Sequence, residues 1–135
     1  MYKNHRIGVV VPAYNEELLI PETLAGMPAY VDKIFVVNDA SRDRTREMIE
    51  KRRAEDARDI LIDHEKNKGL GQTLIDGYLA SAKSDIDVTA VMAGDNQMHP
   101  EDLSLLLDRV IDDGFDYVKG NRLLHENIDF MPKYR

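Results

Sequence analysis

Short β-branched runs alternate with helical stretches along this chain, and run after run ends in a polar turn. The first strand is expected over Ile7–Pro12. Its Val9, Val10 and Val11 are apolar on both faces, as in a strand buried between two helical layers. Further strands are expected over Lys33–Val37, Ile60–Asp63, Val88–Met92 and Tyr117–Lys119. A helix over Ile20–Met27 has Pro21 near its start and is stopped by Pro28. Others are expected over Thr45–Ala57, from Leu70 to about Lys83, and from Pro100 to about Asp113. Leu74, Ile75, Tyr78, Leu79 and Ala82 fall at spacings that make one apolar face, as do Leu103, Leu106, Leu107, Val110 and Ile111. Strands alternating with helices of about 10–15 residues predict an α/β fold: a Rossmann-like, mostly parallel twisted sheet with helices on both faces. In such sheets ligands sit outside the carboxyl ends of the strands, which is where the turns rich in Asp, Asn, Gly and Gln fall.

Composition narrows the partners. The 135 residues fit one domain, and a chain of this size buries a core without staples. Without cysteine there is no disulfide, thiolate metal site or thiol nucleophile, which fits a cytoplasmic location. The formal net charge of −7 argues against a nucleic-acid partner, but phosphates still bind such a surface through a divalent cation. Nothing reads as a targeting segment, and no stretch approaches the ~20 apolar residues of a membrane span. Attachment to the cytoplasmic membrane face stays open.

The turns themselves carry motifs. Val11-Pro12-Ala13-Tyr14-Asn15-Glu16-Glu17 ends the first strand, and Val36-Val37-Asn38-Asp39-Ala40-Ser41-Arg42-Asp43-Arg44-Thr45 ends the second. Asn67-Lys68-Gly69-Leu70-Gly71 opens the third helix. Met92-Ala93-Gly94-Asp95-Asn96-Gln97-Met98-His99-Pro100-Glu101-Asp102 follows the fourth strand, and Gly120-Asn121-Arg122 the last. In order and spacing, from Ile7 to about Arg122, these resemble the motifs of family 2 glycosyltransferases, which have the GT-A fold. The likeness is nearest to the polyprenyl-phosphate branch typified by dolichol-phosphate mannose synthases. Asn38 stands where the family usually has Asp, and Ala93 replaces the first Asp of its Asp-x-Asp.

The resemblance implies a GT-A nucleotide-sugar-binding domain over residues 1–122. Residues 123–135 would form a tail that begins a mostly missing acceptor-side region. It places Pro12, Tyr14, Glu16, Asp39, Lys68, Gly69, Asp95 and Arg122 on the donor, a GDP- or UDP-linked sugar. An aromatic face at Tyr14 suits a nucleobase, and Asp39 would accept hydrogen bonds from it. Asp95 and Gln97 would hold Mg²⁺ or Mn²⁺, hard cations that take oxygen ligands. Read singly, each residue has a plainer account. Asp39 forms turns, Asp95 and Gln97 organise a helix entry, Lys68 to Gly71 open a helix, and Tyr14, His99 and Arg122 are surface side chains.

The implied activity is inverting sugar transfer to an acceptor such as a polyprenyl phosphate, whose anionic oxygen needs no strong base. No catalytic residue is assigned, because Asp129 in the tail is no substitute for the family's basic Asp. The alternative is a non-catalytic nucleotide-sugar-binding or regulatory module completed by another chain. A sheet edge left open would also invite a second copy. Other α/β classes fit less well. No Gly-x-Gly-x-x-Gly follows the first strand, and no Gly-x-x-x-x-Gly-Lys-Ser/Thr occurs. A sugar nucleotidyltransferase would need a Gly-rich, basic loop where Ala13-Tyr14-Asn15-Glu16 stands, and Glu16 and Glu17 poorly imitate the acidic pair of a receiver domain.

Overall fold

The computed structural model of the chain describes residues 1–120. It divides into two compact units, Met1–Leu103 and Ser104–Arg135. The first runs β1 (Ile7–Ala13), α1 (Ile20–Ala25), β2 (Val31–Asn38), α2 (Thr45–Glu55), β3 (Asp59–Asp63), α3 (Leu70–Ala82) and β4 (Val88–Val91). A 3₁₀ turn over Pro100–Asp102 leads into α4 (Leu103–Ile111), most of which belongs to the second unit.

All strand pairs are parallel, and the order is β3-β2-β1-β4. The chain therefore leaves β1 in one direction, through β2 and β3, and returns to pair β4 with β1's other side. That reversal makes the carboxyl ends of β1 and β4 a topological switch point, where a crevice opens between diverging loops.

β1 and β2 are central, and their apolar-on-both-faces pattern follows. Val9, Val10, Val11, Ile34, Phe35, Val36 and Val37 are all buried. Val10, Phe35 and Val37 form a cluster with Ile60, Ile62, Leu74, Ala80, Ile86 and Val91. The helix closing this side is α3, which packs on β1 and β2, while α1 and α2 pack on each other and α2 on β2 and β3.

Two expectations are corrected. The buried positions of α3 are Thr73, Gly77 and Ser81, while Ile75, Tyr78 and Leu79 are 50%, 43% and 52% exposed. The helix approaches the sheet so closely that a Cβ on Gly77 would collide with the Val10 side chain, and one on Gly8 would lie 2.9 Å from Ser81 Oγ. Small residues make that face, so the large apolar ones are displaced outward. The expected strand over Tyr117–Lys119 is not formed, and Tyr117 is 77% exposed. Three residues bounded by Asp116 and Gly120 hold an extended form only when a neighbour pairs with them. In α4, Leu103 and Leu107 of the expected stripe are buried. Arg122, Asn121 and the tail over 123–135 lie outside the described residues.

Candidate functional site

The loops after β1 and β2 are laced together by reciprocal hydrogen bonds. The Asn15 N–H donates to Ser41 Oγ (3.0 Å), and the Arg42 N–H donates back to Asn15 Oδ1 (2.9 Å). The Glu16 N–H donates to Thr45 Oγ1 (2.7 Å), the Glu17 N–H to Asp43 Oδ2 (3.2 Å), and the Arg44 N–H to Glu17 Oε2 (2.9 Å). Asp43 Oδ1 also accepts from the Thr45 N–H and hydroxyl at the start of α2. Burial pushes the Asp43 carboxyl up, but these donors outweigh it and hold it below the usual carboxylate range. Five motif residues, Asn15, Glu17, Ser41, Asp43 and Thr45, thus serve as staples that fix two loops.

Asn38 and Ala40 explain two local features of the second motif. The Asn38 amide donates to Asp63 Oδ1 (2.6 Å) and accepts from the Ser41 hydroxyl (2.5 Å). An Asp at this position would set two carboxylates against each other, so the amide is what the neighbourhood requires. Ala40 has φ 56°, a left-handed conformation that costs a residue bearing a Cβ about 1 kcal/mol.

Asp39 holds the third loop. Its Oδ1 accepts the Lys68 N–H (2.8 Å) and faces His64 Nδ1 (2.8 Å), and its Oδ2 accepts the Gly69 N–H (2.9 Å). The Asn67 amide donates to the Asp39 carbonyl (3.3 Å). Burial raises the Asp39 carboxyl, and the bonds from His64, Lys68 and Gly69 more than reverse that, leaving it lowered. Gly69, at φ 84°, supplies the left-handed turn that starts α3.

The fourth loop meets the first. The Gly94 N–H donates to the Pro12 carbonyl (3.2 Å), and the Gly94 carbonyl accepts from Thr23 Oγ1 (3.2 Å). A Cβ on Gly94 would stand 3.0 Å from Ile20 Cδ1 and 3.1 Å from the Pro12 carbonyl oxygen, so a larger residue fits only if these neighbours give by a few tenths of an ångström. Asp95 Oδ1 accepts the Gln97 N–H (3.2 Å). Burial, Asp95 and Asp43 together raise the Glu16 carboxyl, which marks a negative field at this mouth.

These loops enclose a cleft of about 370 Å³, lined by Pro12, Ala13, Tyr14, Glu16, Asp39, Asn67, Gly69, Leu70, Thr73, Ala93, Gly94 and Asp95. Tyr14 is 45% exposed and presents an open ring. Of the residues expected on a donor, Pro12, Tyr14, Glu16, Asp39, Gly69 and Asp95 share this one cleft. Lys68 adjoins it, but its ammonium bonds Asp76 Oδ2 (3.2 Å). Gln97 is not in the lining, and Arg122 lies outside the described residues. Among the described residues no group of three or more His, Cys, Asp or Glu forms a ready-made metal cage. A hollow of about 400 Å³ in the second unit is lined by Leu105, Asp108, Arg109, Asp112 and Asp113, without converging loops.

Sequence reasoning missed His64 and Asp76. His64 follows β3 at the same sheet edge as the recognised turns, and that position was the available signal. Asp76 lies within α3 and becomes visible only when the fold brings it to His64 (2.9 Å).

Comparison with known proteins agrees with this architecture. The model of the family described as Glycosyl transferase family 2 matches residues 8–130. An uncharacterised protein of Methanocaldococcus jannaschii is 35% identical over 122 residues, covering 90% of this chain and 48% of that protein. The UDP-N-acetylglucosamine–dolichyl-phosphate N-acetylglucosaminyltransferase of Methanococcus voltae is 28% identical, covering 87% and 52%. The undecaprenyl-phosphate mannosyltransferase of Micrococcus luteus is 33% identical, covering 78% and 44%. This chain thus spans about half the length of these relatives. Among solved structures, a mannosyltransferase from Pyrobaculum calidifontis in complex with GDP-Man and Mn²⁺ superposes with a TM-score of 0.68 at 21% identity, over 82% of this chain and 34% of that one. The glucosyl-3-phosphoglycerate synthase of Mycobacterium tuberculosis, with Mn²⁺, UDP and glucosyl-3-phosphoglycerate, gives 0.62 at 21% identity, over 80% and 40%. The structural likeness carries the GT-A fold, the sequence match carries the family, and the chain belongs to glycosyl transferase family 2.

Proposed function

We propose that the cleft at the β1/β4 switch point binds the nucleoside diphosphate of a sugar donor with a divalent cation, and that the sugar passes to a polyprenyl phosphate. The observation that carries this reading is the convergence of Tyr14, Asp39 and Asp95 from separate loops on one cleft. The names of the Methanococcus and Micrococcus relatives support the acceptor class, and the ligands of the two solved neighbours support the donor and the metal.

In this reading the open ring of Tyr14 stacks on the base. Asp39, already fixed by three partners, offers its remaining lone-pair direction to a base N–H. Ala13, Ala93 and Gly94 leave room where larger side chains would fill the cleft. Asp95 and Gln97 supply oxygen donors for Mg²⁺ or Mn²⁺, with Glu16 close to Asp95. That set suits a hard cation that keeps waters and takes diphosphate oxygens. When bound, the cation neutralises charge on the departing diphosphate. An acceptor phosphate oxygen then attacks the sugar's anomeric carbon as the bond to the diphosphate breaks, inverting that centre. The nucleophile is an anion, so no side chain need take a proton.

Calorimetric titration of two variants tests the assignment. Asp95→Asn is expected to abolish the Mn²⁺-dependent gain in nucleotide-sugar affinity. Tyr14→Ala is expected to weaken the free nucleoside diphosphate and its sugar conjugate alike, by about tenfold. A full metal-dependent gain in Asp95→Asn would remove the metal role. Loss confined to the sugar conjugate would remove the base role of Tyr14.

Ala93 in place of a carboxylate favours a second reading, a nucleotide-sugar-binding module without transfer activity. Ala93→Asp is the matching variant. A tighter metal dependence accompanied by transfer to a polyprenyl phosphate, absent in the parent, would favour the second reading over the first.

A further inference from the structure

His64 sits just past β3 with its side chain only 3% exposed. Both ring nitrogens face carboxylates: Nδ1 lies 2.8 Å from Asp39 Oδ1, and Nε2 lies 2.9 Å from Asp76 Oδ2. A histidine packed for its shape needs at most one such partner. A neutral ring donates on one side and turns a lone pair to the other, so only the doubly protonated ring satisfies both contacts.

The contacts continue on either side. Asp39 receives the Lys68 and Gly69 backbone N–H groups. Asp76 receives the Lys68 ammonium (3.2 Å) and the Gln72 amide (2.8 Å). The ring therefore joins the end of β2 to the first turns of α3 and closes a loop of bonds around the stretch that carries Gly69 into the cleft. The charged groups about it are Asp39 after β2, Asp76 on α3 and Lys68 between β3 and α3. Asp63, its neighbour on β3, is committed to Asn38 and to Arg46 of α2 (3.0 Å). Asp76 is held below the ordinary carboxylate range by Gln72 first, then Lys68, with His64 adding to them.

We infer that His64 is a positioning residue whose doubly protonated ring clamps the Lys68–Gly69 backbone onto Asp39 and thereby shapes the base-side wall of the cleft. Loss of one ring proton removes one bond and sets a lone pair against a carboxylate. The wall then loosens, and nucleotide affinity falls. The clamp is a property of the chain itself, whereas its effect on nucleotide affinity rests on the function proposed above.

The full chain is studied by ring ¹⁵N shifts of His64, by protection of the Lys68 and Gly69 amides from exchange, and by titration with GDP and UDP in Mg²⁺. Each is followed from about pH 6 upward, and the ring ¹⁵N shifts themselves mark where His64 loses its second proton. The expected result is a doubly protonated ring at about pH 6, with protection and affinity both dropping about tenfold once the ring shifts report loss of that proton. His64→Asn places an amide nitrogen near the position of Nδ1 and cannot ionise, so it should keep the Asp39 bond but not the Asp76 one, with protection below that of wild type at about pH 6 and no pH dependence. His64→Leu should lose the protection. A singly protonated ring at about pH 6, protection that does not change when the ring loses its proton, or a His64→Asn profile that follows wild type, would overturn the inference. Should His64→Leu fail to fold, wild type and His64→Asn still decide it. Should wild type bind neither nucleotide, the proposed ligand falls, while ring state and amide protection still judge the clamp.

Discussion

Asp59, at the start of β3, is a buried carboxylate with neither oxygen hydrogen-bonded. Arg52 Nε stands 3.7 Å away, close enough for ionic attraction but too far for a hydrogen bond, and has no hydrogen bond of its own. The guanidinium groups nearby are committed elsewhere: Arg58 bonds Asp56 (2.8 Å), and Arg52 bonds Asp56 (3.1 Å). Arg58's bonds draw Asp56 down to about 2, while burial and the Asp56 charge push Asp59 up to about 6. A carboxyl raised in the folded state binds its proton more tightly there than in the unfolded chain. Its contribution to stability is complete below the unfolded value and is lost as pH rises through about 6. Asp59→Asn should therefore be more stable than wild type near neutral pH, by up to about 2 kcal/mol, with the difference vanishing towards about pH 4. Urea unfolding of both proteins across that range checks the slope. A variant less stable at neutral pH would mean that the Arg52 and Arg58 charges outweigh the desolvation. Asp56 acts with the opposite sign, its stabilisation being lost as pH falls towards about 2.

At the scale of elements, α3 packs on β1 at very close range. Gly77 faces Val10 with no room for a methyl group. Gly77→Ala would gain about 1 kcal/mol in helix propensity, yet it forces helix and strand apart. A net loss of about 1–3 kcal/mol is expected on denaturant unfolding, and a stabilised variant would contradict this packing. The same joint shows what a sequence conceals. β1 and β2 were legible because Val9 to Val11 and Ile34 to Val37 are apolar on both faces, as a central parallel strand requires. The helical period of α3 was legible too, but its inward face was not. A face of Thr73, Gly77 and Ser81 carries little hydrophobic signal, and only the close approach of the sheet explains it. Among loop residues, the place of Tyr14 and Asp95 at this sheet edge was readable from their motifs. The division of the other motif residues into staples and cleft lining depends on long-range bonds such as Asp39 to Gly69, which spacing does not contain.

At the scale of the molecule, topology places the site. The order β3-β2-β1-β4 brings the loops after β1 and β4 side by side, and the bonds from Asp39 and Asn15 draw in those after β2 and β3. Among the described residues, β3 and β4 are the edges of a four-stranded sheet. No helix among the described residues is long and apolar enough to cross a membrane. With a net charge of −7, the chain would have to meet the proposed diphosphate through a cation or through a few well-placed donors. The most direct measurement is therefore titration of the chain with GDP-mannose, UDP-glucose and UDP-N-acetylglucosamine, each with Mn²⁺ and with chelator. One donor is expected to bind with Mn²⁺, its affinity falling sharply in chelator. Binding equal with and without metal, or no binding of any donor, would contradict the assignment of this cleft.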